Sequence, residues 1–167
     1  MTLSMDPTKQ PRLLLTMPEH AAWRVRMIGQ NLHEADIDAG VTLRVRALVD
    51  PTVEYTEWVE GIMLEDAPPG TVLRCVARQP RTSSAGLPVV FAHYQLLDGN
   101  QRAIEDRAGA FYAVVHNRAE VVVRVRPPAA WSAYATALEP YLMSGAILWP
   151  DATDDLLMTQ LGMPSEP

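Results

Sequence analysis

Only one cysteine, Cys75, occurs in the chain, so no disulfide can close within it and no set of thiolates can hold zinc. Lysine is almost missing too, Lys9 standing alone against thirteen arginines. A codon bias toward G and C explains that, because the two cations differ physically only at bidentate or stacked sites. Basic charge is short overall: 14 Lys and Arg face 20 Asp and Glu, for a net charge of -6 and a pI near 5.1. That balance argues against general binding of DNA or RNA through phosphates. No run reaches the roughly 18 apolar residues of a membrane helix, and Tyr141–Trp149, the longest candidate, has about half of them. No glycine-flanked serine elbow surrounds Ser83, Ser84 or Ser132, and no glycine-rich phosphate loop is present. Met1–Gln10 has no apolar stretch of the kind a secretion or transit signal needs, so a cytoplasmic location is expected.

What is abundant is apolar residue, 48% of 167 positions, enough for one hydrophobic core. The expected organisation is a flexible tail over 1–10, one α+β domain over 11–161, and a frayed end over 162–167. Proline and glycine punctuate the chain. Arg12–Met17 lies between two prolines and reads as an edge strand. Trp23–Ile28 alternates, with Trp23, Val25 and Met27 on one face and Arg24 and Arg26 on the other. Gln30–Gly40 reads as a polar stretch, and Val41–Val49 again alternates, with Val41, Leu43, Val45 and Ala47 on one face and Thr42, Arg44 and Arg46 on the other. Asp50 and Pro51 are placed to cap and open a helix over 51–64, stopped by Asp66–Gly70, with Val53, Trp58 and Ile62 in its apolar stripe. Four extended runs follow, 71–78, 87–97, 102–116 and 119–126, forming an antiparallel meander. The last helix is expected over 129–142 with a break near Glu139 ahead of Pro140, and Asp151 would cap a short terminal one.

These pieces carry a resemblance. Leu14–Pro18 ahead of a Trp, Tyr55–Trp58 on the first helix, Ser84–Val89 opening a strand and Gly109–Tyr112 before the last strand resemble the Mog1/PsbP-like α/β/α sandwich. Within that fold they are similar to the DcrB-type (DUF1795) group, which includes the Eag chaperones of bacterial type VI secretion. The resemblance runs over Pro11–Trp149. It implies an antiparallel sheet with helices packed on it and a protein-binding role, and it carries no family site residue to a numbered position here.

Three features are candidates for function. Arg-Val-Arg occurs at 24–26, 44–46 and 124–126. If these strands are neighbours, Arg24, Arg26, Arg44, Arg46, Arg124 and Arg126 line one sheet face, either as a site for an acidic partner or anion or as a solvated face paired with Glu54, Glu57, Glu105 and Glu120. The run containing Tyr141, Leu148 and Trp149 is either core, a dimer interface or a docking patch. His33, Glu34, Asp36 and Asp38 read as a solvated acidic loop, since the calcium-loop spacing is missing. Cys75 and His93 lie on consecutive strands, where a thiolate and its base could meet, but the apolar-flanked Cys75 reads as a small core residue with an inert thiol rather than half of a catalytic pair. No catalytic residue, metal or cofactor is therefore expected. The leading reading is a binding protein, similar to a secretion-associated chaperone, that holds an apolar segment of another protein and has the capacity to dimerise. The alternative is a small-molecule or anion-binding protein or enzyme that uses the arginine-lined face.

Overall fold

The computed structural model describes residues 12–14, 24–29, 32–49, 53–114 and 117–148. The expected tails, Trp149 and the helix at Asp151 lie outside them. Seven strands form one sheet: β2 (Arg24–Gly29), β3 (Leu32–Asp38), β4 (Val41–Val49), β5 (Val72–Thr82), β6 (Pro88–Leu97), β7 (Ala103–Val114) and β8 (Asn117–Val125). Their spatial order is β2-β3-β4-β8-β7-β6-β5, and every pairing is antiparallel. A separate two-stranded pair joins β1 (Arg12–Leu14) to β9 (Ala146–Leu148).

The expected polar stretch at 30–40 is instead largely a strand. Period two runs through it: Ala35 is fully buried and Ile37 packs on the core, while Glu34 and Asp36 turn to the other face. The density of carboxylates hides the alternation, because charge reads as loop when only composition is weighed. Gly40, at φ 73°, closes the β3–β4 turn in a backbone region that other residues rarely enter.

The sheet is covered on both faces. On one, Val41, Leu43, Phe91, Ala108, Tyr112, Val121, Val123 and Val125 meet Trp131, Leu138 and Leu142, from a 3-10 turn (Trp131–Ala133) and helix α2 (Ala135–Leu142). On the other, Ala92, Tyr94, Phe111 and Val122 meet Trp58, Val59 and Met63 of helix α1 (Tyr55–Met63). This is the α+β sandwich expected, with a helical layer on each side of an antiparallel sheet.

Two helix boundaries differ from expectation. α1 starts at Tyr55, not Pro51, because the Glu54 carboxylate caps it, accepting from the amides of Thr56 (2.9 Å) and Glu57 (3.2 Å). Val53 therefore precedes the helix and is exposed, and Met63 takes the inward position. α2 runs through Pro140 to Leu142 without a break. In so short a helix the proline only deprives the Thr136 carbonyl of its helical donor, and Thr136 is exposed.

The apolar run after Pro140 is built into the core as far as it is described with side chains. Leu142 is fully buried and Met143 nearly so, and Tyr141 packs against them. The Tyr112 hydroxyl donates to the Leu142 carbonyl (2.6 Å) and accepts from the Gly145 amide (3.1 Å). Ser83 Oγ donates to the Gly145 carbonyl (2.8 Å) and the Ser84 amide to the Met143 carbonyl (2.8 Å).

Candidate functional site

The second face of the sheet divides into two halves. α1 covers the apolar half over β5, β6, β7 and part of β8; the half over β3, β4 and the end of β8 is charged. The register places the three Arg-Val-Arg segments on this one face. One row across the strands reads Arg24, Asp36, Thr42, Arg124 and Arg107; the next reads Arg26, Glu34 and Arg44. β3 thus inserts carboxylates between the arginine-bearing strands β2 and β4. The valines turn the other way: Val125 is fully buried and Val45 packs partly buried on the core.

The side chains of Arg24 and Arg26 lie outside the described ones; the arginines of β4 and β8 are largely engaged rather than solvated. Arg44 Nε lies 2.5 Å from Glu34, and Arg44 Nη1 lies 2.8 Å from Asp66 and 3.2 Å from Glu65. Arg46 reaches Glu65 at 2.5 Å and Glu120 at 3.4 Å. Arg124 sits 3.5 Å from Asp66 and 3.7 Å from Glu65, its Nε buried without a hydrogen-bond partner among the described residues. Arg126 is the exception, its side chain 75% exposed, with Glu105 at 3.7 Å. The expected pairing with Glu105 and Glu120 is present. Glu54 caps α1 instead, and Glu34, Glu65 and Asp66 supply the pairs that sequence reasoning missed. Glu65 and Asp66 had read only as the stop of a helix.

The turn carrying Glu65 and Asp66 is held by β7. Arg107, 3% exposed, pairs with Glu105 (2.5 Å) and donates to the carbonyls of Met63 (2.9 Å) and Glu65 (2.6 Å). A guanidinium on the last carbonyls of α1 satisfies acceptors that the helix leaves open. At the other end Arg118 donates to the Val53 carbonyl (2.6 Å) and stacks on Trp58, 4.9 Å from its ring centre.

Electrostatics follow from this packing. Burial lowers Arg124, helped by the like charges of Arg107 and Arg44, to about 10, so it stays a cation at neutral pH. Burial works against Glu65, yet its bond to Arg46 holds it below the usual carboxylate range; the Arg44 bond does the same for Asp66. Glu120 is 2% exposed, and burial raises it to about 7 against the pull of Arg46.

Beside α1 the charged half opens into a cleft of about 530 Å³ lined by Glu34, Asp36, Asp38 and Thr42, with Arg44, Glu105, Arg124 and Arg126 shared with a neighbouring cleft. Its walls carry both signs, so it offers no concentrated positive field.

Cys75 and His93 do not meet. Cys75 lies opposite Tyr94, and a bulge after it sets Ala77 opposite His93, so the two side chains leave opposite faces. Contrary to expectation Cys75 is exposed, because β5 is the last strand of the sheet. His93 Nε2 lies 3.8 Å from Asp106, whose carboxylate accepts from the Trp131 amide (2.9 Å). Burial keeps His93 below its usual value. Leu148 lies in β9, opposite Arg12 of β1. Among the described residues no helix is long and apolar enough to cross a membrane.

No protein-family model matches this chain, and no curated protein does. Among solved structures it is similar to the solution structure of cyanobacterial PsbP (CyanoP) from Synechocystis sp. PCC 6803, with a TM-score of 0.59 and 8% identity over 84% of this chain and 94% of that one. At that identity the likeness speaks for the fold alone. The two-faced antiparallel sheet of this chain is the PsbP-type, Mog1/PsbP-like sandwich.

Proposed function

We propose that the chain is a non-enzymatic protein-binding module whose docking surface is the charged half of the sheet that α1 leaves open. The observation that carries this reading is the cleft wall, where guanidiniums and carboxylates alternate on rigid strands. A small anion entering there meets Glu34, Asp36 and Glu105 as well as Arg44 and Arg124, and gains little. A polypeptide segment with side chains of both signs satisfies each wall in register, which is how charge confers specificity at protein interfaces. Arg126, the one largely exposed guanidinium of the cleft's three, is the residue best placed to make first contact. Leu142 and Met143, within the 141–149 run, lie in the core, which favours the charged cleft over that run as the docking surface. A client-holding role of the secretion-chaperone kind, in the cytoplasm, is the finer form of this proposal.

The test is affinity capture with the tagged protein from its own host, comparing wild type, Arg126→Glu and Cys75→Ala. A partner held by wild type and by Cys75→Ala but lost by Arg126→Glu supports the reading. Melting curves in inorganic phosphate address the alternative. A saturable rise in melting temperature that Arg126→Glu abolishes, with no protein captured, would move the assignment to an anion site. Self-association of the purified chain that Arg126→Glu disrupts would make a second copy the partner.

A further inference from the structure

The outer edge of β5 lies away from the charged cleft. Among the described residues β5 pairs with β6 alone, leaving one side of an eleven-residue strand without a partner. In an antiparallel ladder, alternate residues of such an edge turn N–H and C=O outward. Val72 and Val76, 57% and 51% exposed, are the most exposed large apolar side chains among the described residues. No carboxylate occurs in Val72–Thr82, whereas Arg74, Arg78 and Arg81 do. Arg81 is paired with Glu139, whereas Arg74 bonds the neutral Gln95 and Arg78 the neutral Thr56 and Tyr94, with the Glu54 carboxylate near Arg78 but not bonded to it. A chain of net charge -6 thus presents, along one open strand edge, two guanidiniums without a bonded carboxylate.

We infer that this edge takes an extended, acidic segment of another polypeptide as an additional strand of the sheet. Main-chain hydrogen bonds to Val72–Cys75 would supply affinity. The bulge after Cys75 sets Arg74 on one face of the sheet and Arg78 on the other, so acidic side chains on both faces of the added strand, with apolar ones against Val72 and Val76, would supply selection. A second copy of this chain is disfavoured as the occupant. Antiparallel self-pairing sets one carboxylate-free, arginine-bearing strand against another, and the bulge after Cys75 and the missing N–H of Pro80 interrupt a flat edge-to-edge match.

The test uses the full chain with a capped synthetic peptide that carries Glu on both faces of the extended strand, with Val and Thr between, and a counterpart with Lys in place of Glu. Amide hydrogen exchange and titration calorimetry at low salt are the readouts. The acidic peptide should slow exchange at alternate amides of Val72–Cys75, and the lysine peptide should not. The double variant Arg74→Glu, Arg78→Glu should bind the acidic peptide roughly tenfold more weakly, with its melting temperature unchanged because both positions are exposed. Arg126→Glu should bind it as wild type does, which separates this edge from the charged cleft. Equal protection by both peptides, no protection by either, or an affinity untouched by the double variant overturns the inference. So does protection of the outward amides in the free protein, which would mean that this chain or a second copy already occupies the edge.

Discussion

Replacing Glu120 by Gln tests the electrostatics of the charged half directly. Glu120 lies on β8 beneath α1, 3.4 Å from Arg46 Nε; its buried Oε2 makes no well-formed hydrogen bond among the described residues, although the buried Trp58 indole N–H lies close enough to favour the carboxylate weakly. Arg46 holds Glu65 more closely, at 2.5 Å, so it compensates Glu120 only in part. Burial raises the carboxyl from 4.5 to about 7. A folded value above the unfolded one means that the native state binds the proton more tightly. Its stabilising effect is whole below the unfolded value and is lost as pH climbs through the window from 4.5 to about 7. Each pH unit is worth about 1.4 kcal/mol, so by pH 8 the ionised group costs the fold about 3 kcal/mol. Glutamine keeps the shape and never ionises. Urea unfolding of both proteins from pH 5 to pH 8 should show the variant ahead by less than about 1 kcal/mol at the acid end and by about 3 kcal/mol at the alkaline end. His93, whose lowered value makes its contribution fall away as pH drops through its ordinary 6.5, is common to both proteins and cancels. The same holds for Glu65 and Asp66, whose contributions are lost only in acid. A difference that stays flat with pH, or a variant less stable at pH 8, would refute the argument that desolvation governs this group.

Two further substitutions probe the core. Gly145→Ala sets a methyl group into the ring of Tyr112, which is fully buried and tied to Leu142 and Gly145, and should cost about 2 to 3 kcal/mol in a denaturant melt. A neutral result would mean that the α2–β9 connection yields easily. Val125→Asp should abolish cooperative unfolding, since the side chain is fully buried, whereas Val45→Asp, at a partly buried position, should melt at reduced temperature but still fold; circular dichroism separates the two.

Period-two alternation made β4, β6, β7 and β8 legible from local order alone, because a strand half-buried on a sheet must separate apolar from polar side chains residue by residue. It also put the valines of 44–46 and 124–126 inward, as the backbone register requires. What local order did not settle was where the chain brings these strands. Only the tertiary structure slots β3 between the two arginine-bearing strands β2 and β4, and only there does Glu34 become the partner of a guanidinium instead of a loop's solvated charge. The same holds for Glu65 and Asp66, which stop a helix by their local sequence but neutralise Arg44, Arg46 and Arg124 because Arg107 pins that turn over the sheet. Cys75 gives the converse case: its apolar neighbours point inward by pattern, yet its strand closes the sheet and has nothing packed over it there. Alternation is a property of neighbours in the chain, whereas charge pairing and exposure depend on residues far away in it, and those meet only once the strand order is set.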